Sequence, residues 1–159
     1  MFRVGFGYDA HRLVKGRPLT LGGVQVPHHL GLDGHSDADA LTHAVIDALL
    51  GALCLGDIGQ HFPDSDPGYT NADSLMLLEK VMQWVKAEGY RINQLDSTVV
   101  AQNPRLTPHI PLMKERLSRI LDLSPGRVSI KAKTSEKMGF CGREEGIEAF
   151  AVASLIKGD

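Results

Sequence analysis

Asp9 and His11 stand two residues apart in the opening segment Met-Phe-Arg-Val-Gly-Phe-Gly-Tyr-Asp-Ala-His. In an extended strand, residues at i and i+2 project to the same side, so a carboxylate and an imidazole would be presented together. His43 adds a second imidazole, in a segment of helical period where Asp39, His43 and Asp47 form one i, i+4 row. An Asp/His/His set that leaves one position open is the ligand pattern of a catalytic zinc, with water or a substrate oxygen completing the tetrahedron. Spacing alone keeps a second reading open and slightly favours it: His43 as a hydrogen-bonded helix histidine beside the core.

Two further clusters have the chemistry to hold anions. Gly34-His35-Ser36-Asp37 lies where a helix is expected to start, and free N–H groups and the helix dipole attract phosphate there. Ser36 is the expected N-cap, with Asp37 and Asp39 in the first turn. Simple capping would need the same residues. Lys131-Ala-Lys133-Thr134-Ser135-Glu136 ends an expected strand with two cations, two hydroxyls and a carboxylate, a set suited to a metal-bridged phosphate. A solvated strand end would look the same.

The elements that must position these groups follow from periodicity. Residues 2–13 read as a strand with Val4, Phe6 and Tyr8 on one face. Gly5 and Gly7 precede Asp9 and His11 on the other face and would leave it open. Leu19–Leu21 and Val24–Val26 flank Gly22-Gly23 as a hairpin. An apolar stripe from Leu41 to Leu53 predicts a helix, and a loop rich in Gly, Pro, Asp and Ser follows over 56–72. Leu75, Leu78, Val81 and Val85 mark a second helix ended by Gly89. A strand near 95–101 leads to a proline-punctuated loop and a third helix, with Thr107 as cap and Pro108 in its first turn. Residues 128–132 alternate as a strand. The tail 146–157 reads as a strand, although its alanines leave a helix open. The fold class is α/β (α+β): one domain over 1–159, with a small mixed sheet covered by helices.

Composition narrows the functions. Seventeen Lys and Arg against nineteen Asp and Glu give a formal charge of −2, unlike the basic face of a non-specific nucleic-acid binder. No apolar run approaches the roughly 20 residues of a membrane span, and the N-terminus lacks the apolar stretch of a secretory signal. Cys54 and Cys141 form no metal-type spacing or disulfide framework. The expected location is a reducing cytoplasm, without nucleic-acid or membrane partners.

The segments 7–12 (Gly-Tyr-Asp-Ala-His-Arg), 34–44 (Gly-His-Ser-Asp-Ala-Asp-Ala-Leu-Thr-His-Ala), 47–52, 56–67 (Gly-Asp-Ile-Gly-Gln-His-Phe-Pro-Asp-Ser-Asp-Pro) and 131–140 (Lys-Ala-Lys-Thr-Ser-Glu-Lys-Met-Gly-Phe) occur in that order. Together they closely resemble the 2-C-methyl-D-erythritol 2,4-cyclodiphosphate synthase family over essentially the whole chain. The resemblance implies conversion of 4-diphosphocytidyl-2-C-methyl-D-erythritol 2-phosphate to the cyclic diphosphate and CMP, in non-mevalonate isoprenoid biosynthesis. It implies that Asp9, His11 and His43 bind Zn2+ or another divalent transition metal, and that Glu136 serves a second cation, Mg2+ or Mn2+. His35 and Thr134 match the positions that stabilise the transition state.

By the same resemblance, the substrate-binding positions of the erythritol end are Ser36, Asp57, Ile58 and Gly59, with Phe62, Pro63, Asp64, Ser65 and Asp66 closing over it. Ala101, Gln102, Asn103, Pro104, Arg105, Leu106 and Thr107 match the cytidine pocket, which Lys133 and Ser135 help complete. Phe140 and Arg143 match residues near the axis of a homotrimer whose active sites lie between subunits. Some such trimers accept an isoprenoid diphosphate along that axis. Lys133 stands where many relatives have Thr, and Cys141 and Glu144-Glu145 depart from the commoner pattern near the axis. The resemblance assigns no role to His28, His29, His61 or His109; Trp84 reads as helix packing, and Asp47 as an outer partner of the metal site or a helix-surface charge.

Overall fold

The computed structural model describes residues 1–158; Asp159, the last residue of the expected domain, lies outside the described residues. The first strand, β1 (Phe2–Val14), alternates as its sequence requires, with Gly5 and Gly7 buried and Phe2, Val4, Phe6 and Tyr8 exposed. A hairpin follows, β2 (Leu19–Leu21) and β3 (Val24–Val26). Its turn residues Gly22 and Gly23 have φ of 57° and 74°, the left-handed pair that a tight two-residue hairpin demands. The short β4 (Gly31–Leu32) pairs with the end of β1.

Helix α1 (Ala40–Ala52) is buried at every position except Asp47 and Gly51, so it is the centre of the core rather than an amphipathic cover. It packs on β1 and on β7 (Gly146–Lys157). The space between is supplied by the strand. A Cβ on Gly5 would lie 1.8 Å from the Ala48 carbonyl oxygen, and one on Gly7 equally close to that of Ala44. The expected open face is therefore filled by helix backbone, and that close approach carries His43 towards Asp9.

The loop after α1 contains one short turn of helix, α2 (Ile58–His61), and a 3-10 turn at Pro67–Tyr69. Helix α3 (Ser74–Ala87) ends before Gly89, whose φ is 76°. Strand β5 (Tyr90–Val100) starts earlier than its sequence pattern suggested. Thr107 does not cap the next helix: it opens a 3-10 turn, Thr107–His109, from which α4 (Ile110–Leu121) continues. After β6 (Val128–Lys133) and a short helix α5 (Gly139–Gly142), β7 completes the sheet, settling the ambiguity of the alanine-rich tail in favour of a strand.

The main sheet has the order β4-β1-β7-β5-β6. All pairs are antiparallel except β5 with β6. It is thus a mixed sheet covered by helices, as its element pattern implies. Among the described residues, no helix is long and apolar enough to cross a membrane.

Candidate active site

Strand register places Asp9 opposite Ala149 and His11 opposite Ile147. Both side chains project from the α1 side of β1, where His43 comes in from the first turns of the helix. His11 Nε2 lies 2.7 Å and His43 Nδ1 3.0 Å from the same carboxylate oxygen, Asp9 Oδ2. The two ring nitrogens are 3.3 Å apart. Burial pushes the Asp9 pKa up, but hydrogen bonds from His11 and His43 and their charges outweigh it, leaving the group at about 2. Burial pulls the His11 pKa down, and its hydrogen bond to Asp9 and the carboxylate's charge outweigh that and raise it.

The outer ring nitrogens show whether a metal would fit. His11 Nδ1 is 2.7 Å from the Asp33 carbonyl. A carbonyl only accepts, so Nδ1 keeps its proton and Nε2 is the nitrogen that would release its proton to a metal. His43 Nε2 is 2.7 Å from Ser74 Oγ and 3.2 Å from Ser36 Oγ, which leaves Nδ1 for the cluster. Two imidazole nitrogens and one carboxylate oxygen, each ring held from outside, form a donor set for a divalent transition metal. Among the described residues, this is the one group of three or more such side chains close enough to share an ion.

The triad forms one end of a cavity of about 440 Å³, also lined by Gly34, His35, Ser36, Ile58, Gly59, Phe62, Pro63, Asp64, Tyr69 and Leu77. A larger cavity, about 870 Å³, is lined by residues such as Arg17, Thr20, Gln25, Asp73 and Arg116 and contains none of the expected catalytic or metal-binding residues. Chemistry, not volume, marks the site.

Several expectations change in detail. The N-cap of α1 is Asp39, whose Oδ1 accepts the Thr42 N–H at 2.9 Å; Ser36 sits upstream and accepts from Ala38 N. Asp39 also takes Thr42 Oγ1–H and the N–H groups of Gly22 and Gly23. The Asp37 N–H goes to the Ala72 carbonyl and the Asp39 N–H to Asp37 Oδ1. The N–H groups of Asp37, Asp39 and Thr42 are thus already taken by the chain's own acceptors, and His35 and Ser36 are the side chains of this turn that line the cavity. His35 Nε2 lies 3.1 Å from the Asp66 carbonyl, so the turn before α1 and the 62–66 segment face each other. Asp47 is neither a partner of the triad nor a free surface charge: it accepts the Ile58 N–H at 2.8 Å and anchors α2.

Asp57 caps α2 through Oδ1. Phe62 is buried and stacks on Trp84 with ring centres 5.8 Å apart, while His61 lies against the same indole and within 2.7 Å of the Leu55 carbonyl. The loop after α2 is therefore docked on α3 through aromatic packing. Ser65 and Asp66 do not line the cavity with Pro63 and Asp64.

The remaining expected residues gather elsewhere. Because β5 and β6 run parallel, their C-terminal ends lie on the same edge. The loops that follow meet there and enclose a cavity of about 300 Å³ lined by Ala101, Gln102, Asn103, Pro104, Arg105, Leu106, Thr107, Ala132, Lys133 and Thr134. Ala101 N donates to the Lys133 carbonyl and Lys137 N to Gln102 Oε1. Glu136 lies here and not with the triad; it and Lys137 hold left-handed φ of 54° and 63°, an arrangement that costs about 1–3 kcal/mol per residue. Lys131 is not free for an anion, since it pairs with Asp96 at 2.8 Å. Phe140 lines a further recess beside His11 and Arg12, and Arg143 pairs with Glu145 at 2.9 Å.

The inward Asp/His/His set on a helix-covered mixed sheet defines the class: an α/β protein with a candidate metal site in a cleft. The chain belongs to the YgbB family, whose family model matches residues 2–156. A 2-C-methyl-D-erythritol 2,4-cyclodiphosphate synthase of Synechococcus elongatus is 60% identical over 156 residues, 98% of each chain. A solved 2C-methyl-D-erythritol-2,4-cyclodiphosphate synthase in its CDP-bound form superposes with a TM-score of 0.89 at 40% identity, covering 97% of this chain and 100% of that one. The bifunctional IspDF of Campylobacter jejuni matches with a TM-score of 0.96 at 40% identity; all of this chain is covered, and it spans 43% of that longer protein.

Proposed function

We propose that this chain is a cyclising phosphorus–oxygen lyase that converts 4-diphosphocytidyl-2-C-methyl-D-erythritol 2-phosphate to 2-C-methyl-D-erythritol 2,4-cyclodiphosphate and CMP. The observation that carries the reading is the convergence of Asp9, His11 and His43 on one point at the end of a cleft, in a chain 60% identical to a named synthase. An oxygen of the 2-phosphate attacks the β-phosphorus, the bond from that phosphorus to the bridging oxygen breaks, and CMP departs with the oxygen and its charge. Such a transfer needs in-line positioning and charge neutralisation more than a protein nucleophile.

Asp9, His11 and His43 would hold zinc, which supplies a Lewis acid for the β-phosphate. His35 and Thr134 donate hydrogen bonds as charge grows on the phosphate oxygens. Ser36 and the Asp57 carboxylate hold the erythritol hydroxyls, and Ile58, Phe62 and Leu77 give the cleft apolar walls that limit water. Glu136 would offer a carboxylate to Mg2+ or Mn2+, which would help neutralise the charge of the diphosphate. Residues 101–107, Lys133 and Ser135 form the nucleotide end.

The triad cleft and the 101–107 cavity have no lining residue in common. This supports a homotrimer in which a neighbouring copy brings its nucleotide cavity to the triad. Phe2, Val4 and Phe6 are 63%, 53% and 62% exposed on the sheet face away from α1, a patch suited to burial between copies. An isoprenoid diphosphate in the axis would meet an Arg143 already paired with Glu145, and Arg143→Ala would weaken that binding. The free thiols Cys54 and Cys141 suit the cytoplasm. We treat residues 1–159 as one synthase domain.

The test is phosphorus NMR of the products formed by zinc- and magnesium-loaded protein. A cyclic diphosphate with equimolar CMP is expected. Linear products would point instead to a hydrolase using zinc-bound water, and absence of CMP from a folded, metal-loaded trimer would overturn the assignment.

A further inference from the structure

The outer nitrogen of His43 ends in a chain of contacts that crosses between two helices. His43 Nε2 meets Ser74 Oγ at 2.7 Å, and Ser74 Oγ in turn donates to Asp37 Oδ1. Ser74 is fully buried. Asp37 Oδ2 accepts the Ser74 N–H at 3.0 Å, and Asp37 Oδ1 also accepts the Asp39 N–H at 3.2 Å. A carboxylate receiving these contacts only accepts, so the Ser74 hydroxyl proton points at Asp37. The hydroxyl then has only lone pairs to offer His43, so Nε2 must carry a proton. Nδ1, 3.0 Å from Asp9 Oδ2, is then the nitrogen that would give up its proton to a metal.

We propose that Ser74, oriented by Asp37, is a positioning residue for His43 that fixes the ring's tautomer and rotation for metal binding. The proposal rests on the metal reading of the triad given above. Ser36 is the competing partner, but its Oγ lies farther away, at 3.2 Å, and already accepts the Ala38 N–H. Reversing the polarity would be harmful. If the carboxylate of Asp37 became an amide that donates to Ser74, the serine proton would turn towards His43, and the ring proton would move to the nitrogen that the metal requires. Outer partners of this kind change metal affinity by about 10- to 100-fold when removed.

The experiment uses the full chain with zinc as probe. Zinc affinity is measured by competition with a chromogenic chelator in wild type, Ser74→Ala, Asp37→Asn and Ser74→Thr. The His43 Nε2–H resonance is followed by proton–nitrogen NMR of the zinc-loaded protein. Expected are a hydrogen-bonded, slowly exchanging Nε2–H in wild type and about 10- to 100-fold weaker zinc binding in Ser74→Ala and Asp37→Asn. Ser74→Thr, which keeps the hydroxyl, should restore affinity to within about threefold, and Ser74→Ala should make the Nε2–H exchange rapidly. The wild-type resonance tests the relay even if a variant does not fold. A rapidly exchanging Nε2–H in wild type, unchanged zinc affinity in both Ser74→Ala and Asp37→Asn, or loss of protection in Ser36→Ala but not in Ser74→Ala overturns it. A wild-type chain that takes up no zinc overturns the metal reading and the relay with it.

Discussion

Gly7 of β1 and Ala44 of α1 touch backbone to backbone: a Cβ on Gly7 would lie 1.8 Å from the Ala44 carbonyl oxygen and 2.7 Å from Ala48 N. No side chain can give way there, because the obstacle is main chain. Gly7→Ala must therefore move the helix off the strand, and His43 moves with it. The expected loss is about 3 kcal/mol or more, the upper range for overpacking, with zinc content falling in parallel. Gly126→Ala, where an added Cβ meets nothing within 4 Å, should leave both the melting temperature and zinc content unchanged.

Removing a triad member should separate chemistry from folding. His43→Ala is expected to lose bound zinc and to lower turnover by at least about 10³-fold, since metal polarisation contributes several kcal/mol to such transfers. Atomic absorption on purified protein, read beside CMP release, checks both. Unchanged zinc and turnover would remove His43 from the ligand set.

The metal-free chain should show a pH window set by Asp9 and His11. The Asp9 pKa, about 2, is below its ordinary 3.8, so its stabilisation is full above the ordinary value and is lost as pH falls through about 2. The His11 pKa is raised above its ordinary 6.5, so its stabilisation is full below 6.5 and is lost as pH rises through the raised value. Between 3.8 and 6.5 both contributions operate, with Asp9 worth about 2 kcal/mol. Thermal melts of metal-free protein across pH should flatten when Asp9 is replaced by Asn. Zinc uptake should weaken towards low pH, because ligand protons compete with the ion.

Asp39 answers four donors from two elements: the N–H groups of Gly22, Gly23 and Thr42 and the Thr42 hydroxyl. Its burial pushes the carboxyl pKa up, partly offset by those hydrogen bonds. In Asp39→Asn an amide N–H₂ would face donors, leaving at least one of them unsatisfied. A loss of about 2–3 kcal/mol is expected from the broken cap and the stranded donor. Chemical denaturation of the zinc-loaded protein measures it.

Trp84 is the single tryptophan, and it packs on Phe62 and His61. Phe62→Ala should shift its fluorescence to the red and raise KM more than it lowers kcat, since the loop loses its dock while the triad stays intact. An unchanged spectrum would show that the loop is not held by this stacking.

What the sequence determined by itself was local. Alternation in residues 2–13 put Asp9 and His11 on one face, Gly22-Gly23 implied the hairpin, and the joint spacing of short motifs identified the family. Those signals reside in periodicity and turn chemistry, which need no knowledge of what packs where. Spacing could not decide whether His43 was a ligand or a core histidine, because the answer depends on helix α1 sinking onto two glycines in another element. Nor could it find Ser74, 31 positions from His43 in the chain and joined to it by one hydrogen bond. The cap of α1 was misplaced for a related reason: Asp39 is also claimed by the Gly22-Gly23 turn, and that shared demand exists only after folding. Tertiary structure also divided the expected site into two cavities, since the triad rises from β1 and α1 while the 101–107 and 133–136 loops leave the parallel ends of β5 and β6. Directional hydrogen bonds and backbone contact made those choices, and both require elements far apart in sequence to be brought together.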